Sequence, residues 1–296
     1  MTVPTATRRI SGGPGQQRAW LLLALMIGLF AAASYLHWFP EWLIGPLGFM
    51  ATPTSVIPKV LLQALVALAA TFGMASIKHS TVAAYGFPGH KMFGKDFWAG
   101  AGWGFAMLSA TIALMVAAHS FRLGALALSR LDILKYGILW AAAFLLVGIA
   151  EELAFRGYLQ YVLTERVGFW PAAILTCLLF GFAHRNNPGE NQVGLANVVL
   201  VGMFACLALR RTGSLWFPIG WQMAFDWGQS FFYSVPDSGF LVAGHLFNAS
   251  VSGSNWLSGG KVGPEASLFN VLTTLIGIAA FSLTYPQARY PQSGGR

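Results

Sequence analysis

The chain of 296 residues is 56% hydrophobic and 9% charged, with a mean hydropathy of +0.60, which is too apolar for an ordinary soluble domain. Its formal net charge of +8 is better explained by Lys and Arg gathered in loops at the anionic face of a membrane than by nucleic acid, which is not an expected partner. Repeated apolar runs make a single helical membrane domain, with the lipid bilayer as its partner, a simpler account than one or two soluble domains.

Taken in order, the first 18 residues are rich in Gly, Thr, Pro and Arg and have the composition of a disordered tail. Eight apolar spans follow, at about 19–39, 56–76, 97–118, 134–164, 169–185, 193–210, 214–234 and 267–286, and residues 287–296 close the chain as a second tail. The first span is preceded by basic residues and holds the small residues Ala31 to Ser34, a combination that also suits a cleaved signal segment. Trp38, Phe39 and Trp42 instead close it as an aromatic belt, and retaining it gives an even number of spans.

Arg8, Arg9 and Arg18 then place the N-terminus in the cytoplasm. Alternation puts Lys78, Lys91, Lys95, Arg166, Arg210, Arg211 and Arg289 on that same side and leaves Arg122 and Arg130 on the other, so both termini are expected to be cytoplasmic. No internal repeat is visible. Cys177 and Cys206 lie inside apolar runs without a Cys-x-x-Cys spacing, and read as small core residues.

The chemistry is concentrated between 134 and 234. Glu151 and Glu152 stand side by side in the apolar run that begins at Gly137, although the chain has only ten acidic residues. Such a placement forfeits solvation and marks a site of chemistry or transport. Glu152 and Arg156 are four apart and share a helix face, so they can pair, while Glu151 points about 100° away and is left free. A free carboxylate in a low-dielectric site gains proton affinity, which suits a general base. The plain alternative is a structural Glu–Arg pair beside an interfacial carboxylate.

The next span ends Phe180-Gly-Phe-Ala-His184. If the reversal between these two helices centres on Gly168, Glu151 lies about 25 Å and His184 about 24 Å from it, at 1.5 Å per residue. In the seventh span Gln222 and Asp226 are four apart on one face, and a turn centred on Gly213 puts Asp226 about 20 Å in. Glu, His and Asp are thus expected at a common depth.

A carboxylate and a neutral imidazole can hold and deprotonate water while amide or imidazole donors opposite stabilise an oxyanion, which is peptide hydrolysis with no cofactor. The same residue types, Glu151, His184 and Asp226, could instead hold zinc, although a single histidine makes a poor zinc site. No Gly-x-Ser-x-Gly setting supports a serine nucleophile. Transport of protons on membrane carboxylates is a third class, disfavoured because the acids sit at one level without a relay.

The ordered motifs Glu151-Glu152-x-x-x-Arg156, Phe180-x-x-x-His184 and a third ending at Asp226 resemble the CPBP family of intramembrane proteases, which includes CAAX prenyl endopeptidases and bacteriocin-processing or immunity proteins. The resemblance covers about residues 130 to 285, and the stretches Trp227 to Gly239 and Trp256 to Ser267 also look like bacterial members.

It implies an all-α, polytopic transmembrane bundle of about eight helices around a polar cavity, with N-terminal helices over 19–130 and a protease-like core over 131–286. It also implies an inner-membrane location in a bacterium and a peptide or protein substrate in or at the membrane. By the family's pattern, Glu151 and His184 activate water, Glu152 and Arg156 support the site, and Asp226 fits the Asn or Asp of the third motif. Gln222 stands where the family carries histidine. Its amide can donate to an oxyanion without protonation; alternatively, loss of the imidazole leaves a noncatalytic scaffold, such as an immunity or regulatory protein.

Overall fold

The computed structural model describes Gly28 and residues 50–290. Apart from Gly28, the expected first span and the N-terminal tail lie outside the described residues, as do residues 291–296 of the C-terminal tail.

The described chain is mostly helical. Helix α1 (Pro53–Ile77) starts at a capping box in which Thr52 and Ser55 satisfy each other's backbone N–H groups, with proline in its first turn. Helix α2 (Lys95–Ala117) follows, then α3 (Arg130–Arg156), capped by Ser129, which accepts from the Asp132 N–H. Gly157 separates α3 from α4 (Tyr158–Val167), because its ψ of -120° leaves the helical region and a Cβ there would stand 2.5 Å from the Leu153 carbonyl oxygen. Gly168 and Gly213, at φ of 86° and 72°, make the reversals into α5 (Phe169–His184) and between α6 (Gln192–Thr212) and α7 (Trp216–Trp227), where the positive φ favours glycine.

After α7 the chain continues as a single π-helical turn, Gly228–Phe232, and enters a long irregular region that holds the short helix α8 (Asn255–Ser258) before α9 (Leu268–Thr284). Two two-stranded ribbons tie this region to the rest. Strand β1 (Met50–Ala51) pairs in parallel with β3 (Leu241–Val242), and β2 (Phe121–Arg122) pairs antiparallel with β4 (Ser250–Val251).

Among the described residues, four helical segments are long and apolar enough to cross a membrane: α1, α2, the stretch Arg130–Val167 formed by α3 and α4, and α6. The expected spans at 169–185 and 267–286 are apolar helices of only 16 and 17 residues, and the one at 214–234 divides into the 12-residue α7 and the π turn. Apolar side chains remain turned outward along these helices, including Leu65, Ile138, Leu178 and Ile276, each at least half exposed. In water such a surface is costly, whereas lipid solvates it.

Close backbone contacts fix the bundle. A Cβ on Gly100 or Gly104 of α2 would fall 2.0 or 2.1 Å from the carbonyl oxygen of Phe217 or Trp221, and a Cβ on Gly220 of α7 would fall 2.1 Å from that of Phe97. The two helices therefore touch backbone to backbone, as small residues permit inside membranes. Helix α3 meets α7 at Gly148, where a Cβ would stand 3.2 Å from the Ile219 carbonyl oxygen. In the core between α5 and α6, Cys177 and Cys206 are fully buried free thiols with their sulfurs 3.7 Å apart.

One end of the bundle gathers the loops around Lys78, Lys91, Lys95, Arg166, Arg210, Arg211 and Arg289. The Leu215 N–H donates to the Gly86 carbonyl, the Trp216 indole to Pro88, and the Arg289 N–H to Arg210, at 2.6, 3.0 and 2.8 Å, while the Arg210 guanidinium stacks over Phe169. The ribbons, α8 and the irregular region after α7 occupy the opposite end.

Candidate active site

The last two turns of α3 carry three of the expected residues. Arg156 Nη1 donates to Glu152 Oε1 at 3.1 Å, and both side chains are buried. The guanidinium also lies over the Phe180 ring, 4.2 Å from its centroid, so α5 clamps it from one side. Gly202 of α6 makes room on the other, where a Cβ would come within 2.7 Å of Arg156 Nη2. The pair expected from its four-residue spacing is thus formed and enclosed by three helices.

Glu151 faces away from that pair, toward α7, and accepts a hydrogen bond from Gln222 Nε2 at 2.7 Å. Asp226, one turn beyond Gln222, lies beside its amide and within electrostatic range of Glu151. Glu151, Gln222 and Asp226 therefore converge from two helices.

His184 is the last residue of α5 and is partly exposed. Its Nδ1 lies 2.8 Å from the Phe180 carbonyl oxygen and its ring stands edge-on to Phe180, centroids 4.4 Å apart. A carbonyl oxygen only accepts, so Nδ1 carries the proton, and Nε2 of the neutral ring is left as an acceptor. Phe180 thus touches both Arg156 and His184. Among the described residues, no hydrogen bond joins His184 to Glu151 directly.

Residues beyond the three motifs complete the neighbourhood. The chain after the π turn folds back over the site, bringing Asp237 and Glu265 within electrostatic range of Asp226. Asp237 Oδ2 accepts from Ser230 Oγ at 3.1 Å, and Glu265 accepts from the Ser238 N–H at 2.7 Å and from Gln229 Nε2 at 3.1 Å. Burial pushes the Asp237 carboxyl up to about 6. Glu265 is raised as well, by burial first and then by the charge of Asp237. Glu190, in the loop after α5, is raised by burial and interacts with His184.

Sequence reasoning assigned no role to Asp237, Glu265, Glu190 or Gln229. The available signal was scarcity: six of the ten acidic residues, Glu151, Glu152, Glu190, Asp226, Asp237 and Glu265, belong to this one region. As to metal, among the described residues no three of His, Cys, Asp and Glu are disposed to hold an ion. Glu151, His184 and Asp226 do not form such a set.

Residues 134–228 match the model of the type II CAAX prenyl endopeptidase Rce1-like family. The chain is thus similar to this family over about a third of its length. The matched segment runs from α3 through α7 and contains Glu151, Glu152, Arg156, His184, Gln222 and Asp226, while Asp237 and Glu265 lie beyond it.

A similar protein from Escherichia coli, described as an uncharacterized 24.3 kDa protein, is 36% identical over 78 residues, which are 26% of this chain and 35% of that one. The match thus spans about a third of that relative's length. No solved structure matches the chain.

Proposed function

We propose that the protein is an intramembrane endopeptidase in which Glu151 and His184 activate the water that hydrolyses a peptide bond. The observation that carries this is the contact between Gln222 and Glu151, 2.7 Å long, formed inside a segment of the CPBP protease pattern. An amide donor on one carboxylate oxygen leaves the second oxygen, Oε1, available as base.

Water held between Glu151 Oε1 and the free Nε2 of His184 loses a proton to the carboxylate and attacks the substrate carbonyl carbon. The tetrahedral intermediate collapses as the proton passes to the departing amine. Gln222 has a second N–H to offer the oxyanion, and Asp226 beside it positions the amide. Arg156, neutralised by Glu152 and packed on Phe180, holds the end of α3 and the His184 helix in register.

Apolar helices and the family together make the substrate a peptide at the membrane. The basic end of the bundle faces the cytoplasm of a bacterial inner membrane under this proposal, since Lys and Arg are retained on that side.

The test is hydrolysis of membrane-embedded peptides by purified protein in liposomes. Glu151→Gln and His184→Ala each abolish cleavage while the protein stays folded; undiminished cleavage in both sinks the mechanism. The noncatalytic scaffold rests on Gln222 occupying a position where the family carries histidine. Cleavage that appears only on Gln222→His, from a native protein that shows none, decides for the scaffold.

A further inference from the structure

We infer that Asp226, Asp237 and Glu265 form a subsite for a basic side chain, lysine or arginine, of the peptide substrate; this rests on the peptidase proposal above. Three independent features of the region ask for a donor-rich cation.

The first is a set of carboxylates without a basic partner. Among the described residues, the ion pair of Arg156 with Glu152 is the only one, and no lysine or arginine lies within ion-pair distance of Asp226, Asp237, Glu265 or Glu151. The four residues themselves are only partly buried. Carboxylates enclosed by protein without a counter-charge attract one strongly.

The second is a surplus of buried acceptors. Gln229 is fully buried, and its amide nitrogen donates to the Pro236 carbonyl at 2.8 Å and to Glu265 Oε2 at 3.1 Å, while its Oε1 has no partner. Asn197, 2% exposed, donates to the Glu265 carbonyl at 2.7 Å, and its Oδ1 also has no partner. Gln229 thus spends its donors on Pro236 and Glu265, Asn197 donates to the Glu265 backbone, and each amide keeps an unmatched buried oxygen. A buried acceptor without a donor is costly. An ammonium brings three N–H donors and a guanidinium five, and neither brings an acceptor.

The third is shape. Among the described residues, no three of His, Cys, Asp and Glu are disposed to hold a metal ion. The backbone beside Asp237 and Glu265 is braced: the Gly239 N–H donates to Val262 at 2.9 Å, and Gly263, at φ 122°, approaches so closely that a Cβ would stand 2.0 Å from the Pro236 carbonyl oxygen. Charges fixed on such a support recognise a ligand without reorganising.

The test uses the full chain in liposomes and a series of apolar peptides of one sequence that differ in a single residue, lysine, norleucine or glutamate, moved along the peptide. Lysine at one position is expected to raise kcat/KM by about tenfold over norleucine. That ratio falls toward one in Asp237→Asn and Glu265→Gln, and Asp237→Lys turns the preference toward the glutamate peptide, a gain that misfolding cannot imitate.

Binding of the fluorescently labelled lysine and norleucine peptides to the Glu151→Gln variant separates the two proposals. Lysine-selective binding that Asp237→Asn abolishes supports the subsite even if the native protein cleaves nothing, in which case only the peptidase proposal falls. Cleavage with no lysine preference, equal binding of both peptides, or binding of neither overturns the subsite.

Discussion

Gln222 and Glu151, 71 positions apart, are joined by a hydrogen bond of 2.7 Å across the contact between α7 and α3. The contact is set one turn away on each helix, where Gly148 lets α3 approach the Ile219 carbonyl. Replacing Gln222 by leucine removes the donor and keeps the volume near constant. Peptide hydrolysis in liposomes is expected to fall roughly 10²-fold, comparable to losing one preorganised donor, with the melting temperature little changed. Wild-type rates in Gln222→Leu show that the amide does not serve Glu151.

The space for the Arg156 guanidinium is made by the missing side chain of Gly202. Gly202→Ala places a methyl 2.7 Å from Arg156 Nη2 and 3.0 Å from Cys177 Sγ. Overpacking of this kind costs about 1–3 kcal/mol, and displacement of Arg156 carries loss of activity with it. Gly102→Ala meets nothing within 4 Å and is the control. Thermal unfolding in detergent compares the two, and equal melting temperatures contradict the packing described.

Asp237 gives stability a pH dependence of definite sign. Its carboxyl rises from the ordinary value of 3.8 to about 6 on folding, so between those values the folded protein binds more protons than the unfolded one. Stability is then greatest below about pH 4, falls as pH rises through the window, and levels off above about pH 6 as far as this group decides. Asp237→Asn is expected to flatten that segment of the melting temperature against pH. An unchanged slope in the variant assigns the dependence to other groups.

Removal of metal is a further check. Because Glu151, His184 and Asp226 do not come together as a metal-holding set, cleavage is expected to survive prolonged treatment with a strong chelator. Activity lost to the chelator and restored by zinc requires these residues to rearrange into ligands.

What the sequence determined by itself is whatever short-range rules govern. Glu152 and Arg156 pair because four residues bring side chains together on one helix face. Gly168 and Gly213 mark reversals because the left-handed backbone region favours glycine. The apolar helical character follows from composition, and three ordered motifs carry the resemblance to the CPBP family. Where spans end was less legible: α7 stops at Trp227 because a π turn and a folded-back region replace further helix, and no local residue pattern announces that change.

Only the tertiary structure decided which polar groups meet. Cys177 and Cys206 read as small core residues, and the packing of α5 on α6 puts their sulfurs 3.7 Å apart. Asp237 and Glu265 lie in separate irregular stretches, and their approach to Asp226 depends on the turn after α7 and on bonds such as that from the Ser238 N–H to Glu265. Gln222 stood out in the sequence as a departure from a motif, but its partnership with Glu151 depends on how closely two backbones pass at Gly148. Helical periodicity relates residues a few places apart; contacts between helices are set by the shapes of whole faces, which no local pattern specifies.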